Sequence, residues 1–325
     1  MMYPGCVVSS ISGLKLNAAD CAMLEHPQLA GVVLFSHNYH DPLQLKHLIR
    51  EARRIKPNLL VMVDHEGGRV VRFSPGFSCL PAAKHYGDIL DKHGLQVANK
   101  ELMLDYQSAS NELRTVGVDV NLSPVLDLDC ERNKALETRC FHHTPSHIVE
   151  LASCAIDAMH HGQLQVVGKH FPGHGWVEED SHEALPYDTR SLEAIEKTDL
   201  LPFLQLLKRL DFIMPAHIIF SQVDSLPVTF SHRWIQEYLK IKQGFEGVVI
   251  SDDLSMQACQ AIADTVSSAE AALEAGCDLA LICHDMDKTF LTLEHFERKG
   301  RNKASDALHR SMVKANENRE GALCR

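Results

Sequence analysis

Four short segments of this chain concentrate the residue types that can perform acid–base and nucleophilic chemistry. They read DHEGGR at 64–69, KHFPGHG at 169–175 with DSH at 180–182, MPAH at 214–217, and SDDLSM at 251–256. Each one begins where an apolar run ends, and a charged side chain is costly to desolvate there unless it has a partner or a function. One such segment could be structural, but four together favour an active site.

The side chains in these segments suit displacement at a hydroxyl-rich carbon centre. Asp252 supplies a carboxylate, and His182 with Asp180 supplies a His–Asp pair on a Gly-containing loop. A carboxylate can attack carbon or stabilise positive charge, while a histidine can donate a proton and later remove one. Lys169 and His170 add hydrogen-bonding groups, and the chain has no Walker-type phosphate loop.

The same residues have structural interpretations when they are considered singly. Asp64 or Asp252 alone could cap the following helix, and His217 is more readily a satisfied histidine at the edge of the core than a ligand. A metal-dependent hydrolase is an alternative because four histidines could converge: His170, His174, His182 and His217. However, the first strand ends without an H-x-H pair, and the chain lacks an H-E-x-x-H motif. We therefore expect neither a metal nor another cofactor.

Short apolar runs alternate with helical periodicities along the whole chain. Eight runs are candidate strands, and most of them are continuously apolar rather than alternating, which is typical of parallel strands that are covered on both faces. They span residues 5–9, 31–35, 59–64, 119–124, 165–170, 212–216, 247–251 and 279–283. Between them, Asp41-Pro42 and Thr144-Pro145 each predict the start of a helix, and Gly117 and Gly244 stand where helices should end.

Eight parallel strands with intervening helices predict one α/β domain, a closed (β/α)8 barrel of the TIM type over residues 1–301. The alternative is an open doubly wound sheet, but no G-x-G-x-x-G follows the first strand. Residues 302–325 are polar, and we expect them to form a C-terminal tail, at most a loosely ordered helix.

Composition excludes several classes of protein. The 325 residues include 43 acidic and 32 basic side chains, a formal net charge of −11, which argues against a nucleic-acid binder. With 45% hydrophobic residues the chain can build a core. No apolar stretch approaches the roughly 20 residues that span a bilayer, and the N-terminus has no signal-peptide pattern. We expect a cytoplasmic monomer whose partner is a small substrate, with no membrane or nucleic-acid partner.

The three longest motifs resemble glycoside hydrolase family 3. DHEGGR, KHFPGHG-x4-DSH and SDDLSM look most like the single-domain bacterial cytoplasmic members of that family, the β-N-acetylglucosaminidases of peptidoglycan recycling. The resemblance extends from the N-terminus through residue 254 and on to AGCD at 275–278. One departure lies in the first motif, where His65 stands in place of the Gln of the DQEGGR form.

The resemblance implies a role for each matching residue. Asp252 corresponds to the nucleophile that forms a covalent glycosyl-enzyme intermediate, His182 to the general acid and base, and Asp180 to the residue that orients that histidine. Arg69 is interpreted as structural. Five side chains correspond to positions that bind the N-acetylglucosamine ring: Asp64, Arg72, Arg139, Lys169 and His170.

The implied activity is that of a retaining exo-β-N-acetylglucosaminidase, which hydrolyses terminal non-reducing GlcNAc from muropeptides in cell-wall recycling and so bears on cell shape and division. Two alternatives stay open. Because the acid/base is a histidine rather than a second, phosphate-repelling carboxylate, phosphate could replace water and make the protein a phosphorylase. The second alternative is a catalytically silent sugar-binding protein. The presence of Asp252, His182 and Asp180 together argues against this alternative.

Overall fold

A central sheet of parallel strands is the framework of the molecule. The structure, a computed structural model, describes residues 5–178, 185–260, 263–300 and 305–323. Within these ranges the strands are β1 (Val7–Ser10), β2 (Leu29–Leu34), β3 (Leu60–Val63), β4 (Val120–Asn121), β5 (Gln165–Phe171), β6 (Tyr187–Asp188), β7 (Phe212–Pro215), β8 (Ile219–Phe220), β9 (Val248–Val249) and β10 (Ala280–Leu281).

This sheet closes into a barrel. Eight parallel strands follow one another in the order β10-β1-β2-β3-β4-β5-β7-β9, and a parallel bridge between Ile250 and Leu279 joins the two ends of that order. At the same place the Ser251 N–H donates to the Leu279 carbonyl at 2.9 Å. The prediction of a (β/α)8 barrel is therefore confirmed, and the open sheet is excluded. Strands β6 and β8 pair with each other outside the barrel.

Helices surround the barrel and connect its strands. They are α1 (Ala18–Glu25), α2 (Pro42–Ile55), α3 (Ala83–His93), α4 (Leu95–Val116), α5 (Pro145–His161), α6 (Leu192–Glu196), α7 (Leu200–Leu206), α8 (Gln257–Gln260), α9 (Thr265–Ala275), α10 (Met286–Arg298) and α11 (Asp306–Leu323), with a π-helix at Arg233–Lys242 and 3-10 turns at Ser36–Asn38, Leu207–Arg209 and Val228–Phe230. Among the described residues, no helix is both long enough and apolar enough to cross a membrane.

The predicted helix boundaries have local causes. The Asp41 side chain accepts a hydrogen bond from the Gln44 N–H at 2.9 Å, which satisfies one of the free donors at the start of α2. Gly117 has a φ of 107° after α4, and Gly244 has a φ of 71° after the π-helix. Both values lie in the left-handed region that a side chain disfavours, so the predictions for these two glycines are confirmed.

The C-terminal segment differs from the predicted loose tail, because residues 306–323 form the packed helix α11. Leu308, Met312 and Ala315 are buried in one cluster with the residues that fill the barrel. Arg319 lies 2.9 Å from Asp119 at the start of β4, so α11 covers the N-terminal end of the barrel. Its apolar residues are spaced by four and three, a narrow stripe that the polar composition of the segment conceals.

Candidate active site

A cavity of about 390 Å³ opens at the carboxyl ends of the barrel strands, where enzymes with this fold place their chemistry. Six residues that the sequence predicts for the site line it together: Asp64, Arg72, Arg139, Lys169, His170 and Asp252. They follow β3, β4 and β9 or belong to β5. The predicted pair Asp180 and His182 lies outside the described residues.

Lys169 is the buried cation at the base of this cavity. Its Nζ lies 2.7 Å from Oδ1 of Asp64 and 2.6 Å from Oε1 of Glu66. Burial alone would lower the pKa of Lys169, but the two carboxylates outweigh it and raise the pKa above its usual value. The ammonium is therefore charged at neutral pH, and it fixes both acidic side chains of the DHEGGR motif.

Arg139 lines the cavity and donates two hydrogen bonds to the carboxylate of Glu66. Its Nε donates to Oε2 at 2.7 Å and its Nη2 donates to Oε1 at 2.8 Å. Burial favours the neutral form of Glu66, but Lys169 and Arg139 hold its pKa well below the usual value. Sequence reasoning missed this function of Glu66, although a second acidic residue two positions after Asp64 was the available signal.

Asp127 is a second buried acid that the sequence analysis missed. It is fully buried, and its Oδ2 lies 2.7 Å from Nδ1 of His170, while its Oδ1 accepts from the His174 N–H at 2.8 Å. Burial opposes its ionisation, but the neighbouring His170 holds the pKa of Asp127 below its usual value. An acid inside the apolar run 122–128 was the only sequence signal.

The two adjacent acids after β9 differ in their surroundings. Asp252 lines the cavity, and its Oδ1 accepts from the Asp253 N–H at 2.8 Å. The Asp253 carboxylate instead accepts from the backbone N–H groups of Ser255 at 3.0 Å and Cys283 at 3.1 Å. Burial raises the pKa of Asp253. Asp253 thus ties this loop to the end of β10 and holds the segment that carries Asp252.

The two arginines after β3 both line the cavity but make different contacts. Arg72 Nη2 lies 3.3 Å from Oδ2 of Asp64, and its guanidinium lies 5.5 Å from the centre of the Phe35 ring. The Arg69 guanidinium donates to the carbonyl of Ala135. Arg69 therefore joins two loops at the mouth of the cavity, whereas Arg72 packs against the acid that Lys169 also holds.

Two further observations bear on a metal. Among the described residues, no three His, Cys, Asp or Glu side chains are grouped so that they could hold a metal ion. His217 is buried, with Nδ1 2.8 Å from Oγ1 of Thr229 and Nε2 3.3 Å from the Asp253 carbonyl. His217 therefore has the contacts of a satisfied histidine at the edge of the core.

Comparison with known sequences identifies the family to which this chain belongs. Residues 6–314 match the glycosyl hydrolase family 3 N-terminal domain. The chain belongs to glycosyl hydrolase family 3. It is 42% identical over 294 residues to a beta-hexosaminidase of Pseudomonas aeruginosa. The aligned region is 90% of this chain and 87% of the relative. A beta-hexosaminidase of Idiomarina loihiensis is 45% identical over 277 residues, or 85% and 82% of the two chains.

Solved structures of family 3 proteins share the architecture. NagZ from Neisseria gonorrhoeae, solved in complex with N-trifluoroacetyl-D-glucosamine, superposes with a TM-score of 0.90 at 33% identity, over 99% of this chain and 94% of that one. A family 3 β-N-acetylglucosaminidase from Paenibacillus gives a TM-score of 0.88 at 27% identity, over 97% of this chain and 61% of that one. Both comparisons agree with the single closed barrel.

The arrangement in this family 3 cavity is chemically suited to a polyhydroxylated ring. Charged donors and acceptors alternate along its wall, from Arg72 to Asp64, Lys169, Glu66 and Arg139. Such fixed, alternating groups can bind neighbouring hydroxyls, each of which both donates and accepts. The carboxylate of Asp252 faces the same space.

Proposed function

We propose that the protein is a retaining exo-β-N-acetylglucosaminidase that releases terminal non-reducing GlcNAc from peptidoglycan fragments. The observation that carries the proposal is the convergence of Asp252, Lys169 and His170 on one cavity. They come from two separate segments of a family 3 chain whose curated relatives are beta-hexosaminidases. The family and these relatives already support a GlcNAc-releasing glycosidase, so the retaining mechanism and the peptidoglycan fragments as substrates are the parts to test.

Asp64 and Lys169 are the proposed contacts for the ring hydroxyls. One carboxylate oxygen of Asp64 lies 2.7 Å from Lys169 and the other lies 3.3 Å from Arg72. A hydroxyl that bridges such a pair can donate to the carboxylate and accept from the ammonium or the guanidinium. These charge-assisted hydrogen bonds are worth about 1.5–3 kcal/mol each, enough to discriminate against a ring that lacks the hydroxyl.

His170 is the proposed third contact, and Asp127 determines how it binds. Because Asp127 occupies Nδ1 at 2.7 Å, only Nε2 of the imidazole is left to point toward a substrate. Asp127 also accepts from the backbone N–H groups of His170 and His174. The ring orientation is therefore fixed before substrate binds, which limits the entropy lost on binding.

The proposed reaction is a double displacement. The Asp252 carboxylate attacks the anomeric carbon, the bond from that carbon to the leaving oxygen breaks, and His182 protonates that oxygen. Water then attacks the anomeric carbon of the ester that joins sugar and enzyme. His182 takes a proton from this water, and Asp252 leaves as a carboxylate. Each step inverts the anomeric carbon, so the product keeps the β configuration. Asp180 supports the protonated form of His182.

The biological setting belongs to the same proposal. We infer GlcNAc-1,6-anhydroMurNAc muropeptides as substrates, a monomeric state and a cytoplasmic location, on the basis of the motif resemblance and the named relatives. Incubation with purified anhydro-muropeptides and mass analysis of the products should show loss of one N-acetylhexosamine. Intact muropeptides, in a preparation that cleaves a synthetic glycoside, would contradict this part of the proposal.

The activity itself is tested with three 4-nitrophenyl glycosides. The wild-type protein should cleave the N-acetyl-β-D-glucosaminide, and it should cleave the β-glucoside, which lacks the N-acetamido group, at least about a hundredfold more slowly. The α-anomer should resist cleavage, because its leaving group lies on the face of the ring that Asp252 attacks. Equal cleavage of the β-glucoside would overturn the assigned substrate. Repeating the assay with added phosphate distinguishes the acceptors, because a phosphorylase would yield the sugar 1-phosphate instead of free GlcNAc.

A further inference from the structure

A second cavity, which we name the rim cavity, adjoins the candidate active site. It has a volume of about 300 Å³ and lies above β1, between the end of β2 and the start of α10. Its wall includes Ser10, Ser12, His37, His284 and Asp285. His284 also lines the active-site cavity, so the two cavities share this residue.

Three rings form a continuous surface from one cavity to the other. The Phe35 ring lines the active-site cavity, and its centre lies 4.3 Å from that of His284. His37 stacks on Phe35 at 5.8 Å with an angle of 10° between the planes. His37 and His284 are both exposed. Flat, partly exposed rings of this kind can pack against the C–H face of a pyranose, because the face of an aromatic ring carries partial negative charge.

The backbone at His284 has a strained conformation. Its φ is 61°, a left-handed conformation that residues with a Cβ adopt rarely. The conformation is held by a hydrogen bond from the His284 N–H to Oγ of Ser10 at 3.2 Å. Strain that the surrounding structure maintains is common at ligand-binding positions. The imidazole of His284 consequently stands over the boundary between the two cavities.

The rim cavity also offers polar groups. Nε2 of His37 lies 3.0 Å from the Ile11 carbonyl, and because a carbonyl only accepts, this nitrogen carries the proton. In the neutral form of this ring, Nδ1 of His37 is the nitrogen that can accept from a hydroxyl. The Asp285 carboxylate caps α10 by accepting from the Lys288 N–H at 2.9 Å, and its Oδ2 lies 3.4 Å from Nζ of Lys288. A sugar with one apolar face and peripheral hydroxyls matches this combination.

The order of the strands sets the direction in which a substrate would lie. Of the proposed hydroxyl contacts, Asp64 directly follows β3 and Lys169 belongs to β5, while the proposed nucleophile Asp252 follows β9. Around the barrel, β10 and then β1 come next after β9, and the Cys283 N–H is bonded to Asp253. A substrate whose ring lies over β3 and β5 and whose anomeric carbon is at Asp252 continues toward His284.

From this geometry we infer that the rim cavity is the subsite for the sugar of the leaving group, a second pyranose ring that packs on His284 and Phe35 and hydrogen bonds to His37. The inference rests on the proposed function. It assigns recognition of the leaving group to this part of the chain, and it predicts that substrates with and without a second ring depend differently on the two histidines.

The test compares a β-linked GlcNAc disaccharide with N-acetyl-β-D-glucosaminyl fluoride, whose leaving group has no ring. The ratio of kcat/KM for the disaccharide to kcat/KM for the fluoride should fall about five- to tenfold in His37→Ala and in His284→Asn, as expected for one lost ring contact. Asn tolerates a positive φ, so the second variant removes the ring without altering the backbone. His309→Ala, an exposed histidine on α11, is the control and should keep the wild-type ratio.

The outcomes separate this inference from the proposed function. A wild-type protein that cleaves the fluoride, with both variants keeping the wild-type ratio, would overturn the subsite while the glycosidase assignment stands. An equal loss on both substrates would also overturn it, since His284 would then act on the first ring or on the loop of Asp252. A wild-type protein that cleaves neither substrate would overturn the proposed function and the inference with it.

Discussion

Glu66 and Arg139 form two parallel hydrogen bonds of 2.7 and 2.8 Å inside the candidate active site. The contact joins the loop after β3 to the segment before α5, two regions far apart in sequence. Glu66 also lies 2.6 Å from Lys169, so one buried carboxylate positions two cations of the cavity. Breaking a buried pair leaves an uncompensated charge, which makes Glu66 a sensitive position.

Glu66→Gln should therefore impair both stability and activity. It leaves Arg139 and Lys169 buried beside a neutral amide, and the unfolding free energy should fall by about 3–5 kcal/mol. We expect kcat/KM for the nitrophenyl N-acetylglucosaminide to fall by at least about tenfold, because Arg139 loses its orientation. Urea titration and steady-state kinetics measure the two effects. Glu137→Gln, an exposed acid on the same segment as Arg139, is the control, and equal behaviour of the two variants would contradict the assignment.

Asp127 should matter through His170 rather than through direct contact with substrate. Asp127→Asn keeps the shape of the side chain but removes the charge that holds Nδ1 of His170. Loss of a hydrogen bond to a charged group should lower kcat/KM about 10- to 100-fold. Asp129→Asn, two residues along the chain and paired with Lys84, should change kcat/KM less than about twofold. Similar kinetics for the two variants would refute a positioning role for Asp127.

His65 should make the protein less stable in mild acid. It is fully buried, neither ring nitrogen has a hydrogen-bond partner among the described residues, and its neighbours include Phe73 and Phe77. Burial, with a contribution from the positive charge of Arg72, lowers the pKa of His65 from 6.5 to about 4. The unfolded chain therefore binds more protons than the folded chain between these two pH values, and stability falls as the pH falls through that interval.

The effect of His65 can be isolated with His65→Gln. Between pH 7.5 and 4.5 the wild-type free energy of unfolding should lose about 2–3 kcal/mol through this residue, and the variant should lose that much less. Buried His174, whose pKa burial lowers to about 4, contributes equally in both proteins and so cancels. Urea titrations at the two pH values give the comparison. Parallel pH dependences of the two proteins would mean that His65 is not a buried neutral histidine.

Helix α11 should stabilise the barrel without taking part in the chemistry. Leu308 is fully buried at the N-terminal end of the barrel, so Leu308→Ala should cost about 2–5 kcal/mol of unfolding free energy. Its kcat/KM at 25 °C should stay near the wild-type value, because the cavity lies at the opposite end. Val313→Ala, on the exposed side of the same helix, should cost less than about 1 kcal/mol. Loss of activity in folded Leu308→Ala would show that the two ends are coupled.

The sequence predicted the features that depend on local pattern. Eight short, mostly apolar runs predicted the strands, and the charged side chains and histidines at their carboxyl ends predicted that Asp64, Lys169, His170 and Asp252 belong to one site. Pairing between distant residues was beyond such reasoning. Nothing near Asp127 in the chain shows that His170 is its partner. The apolar stripe of α11 can be interpreted only when the end of the barrel against which it packs is known.

In the proposed mechanism, Asp252 becomes covalently bonded to the sugar. This bond can be detected by incubating the protein with a 5-fluoro N-acetyl-β-D-glucosaminyl fluoride, a reagent whose glycosyl-enzyme intermediate forms faster than it is hydrolysed, and then mapping the labelled peptide by mass spectrometry. We expect one added sugar on the Asp252 side chain and no label on that peptide in Asp252→Asn. A label on Asp253 or Asp64, or turnover of the reagent by Asp252→Asn at the wild-type rate, would contradict it.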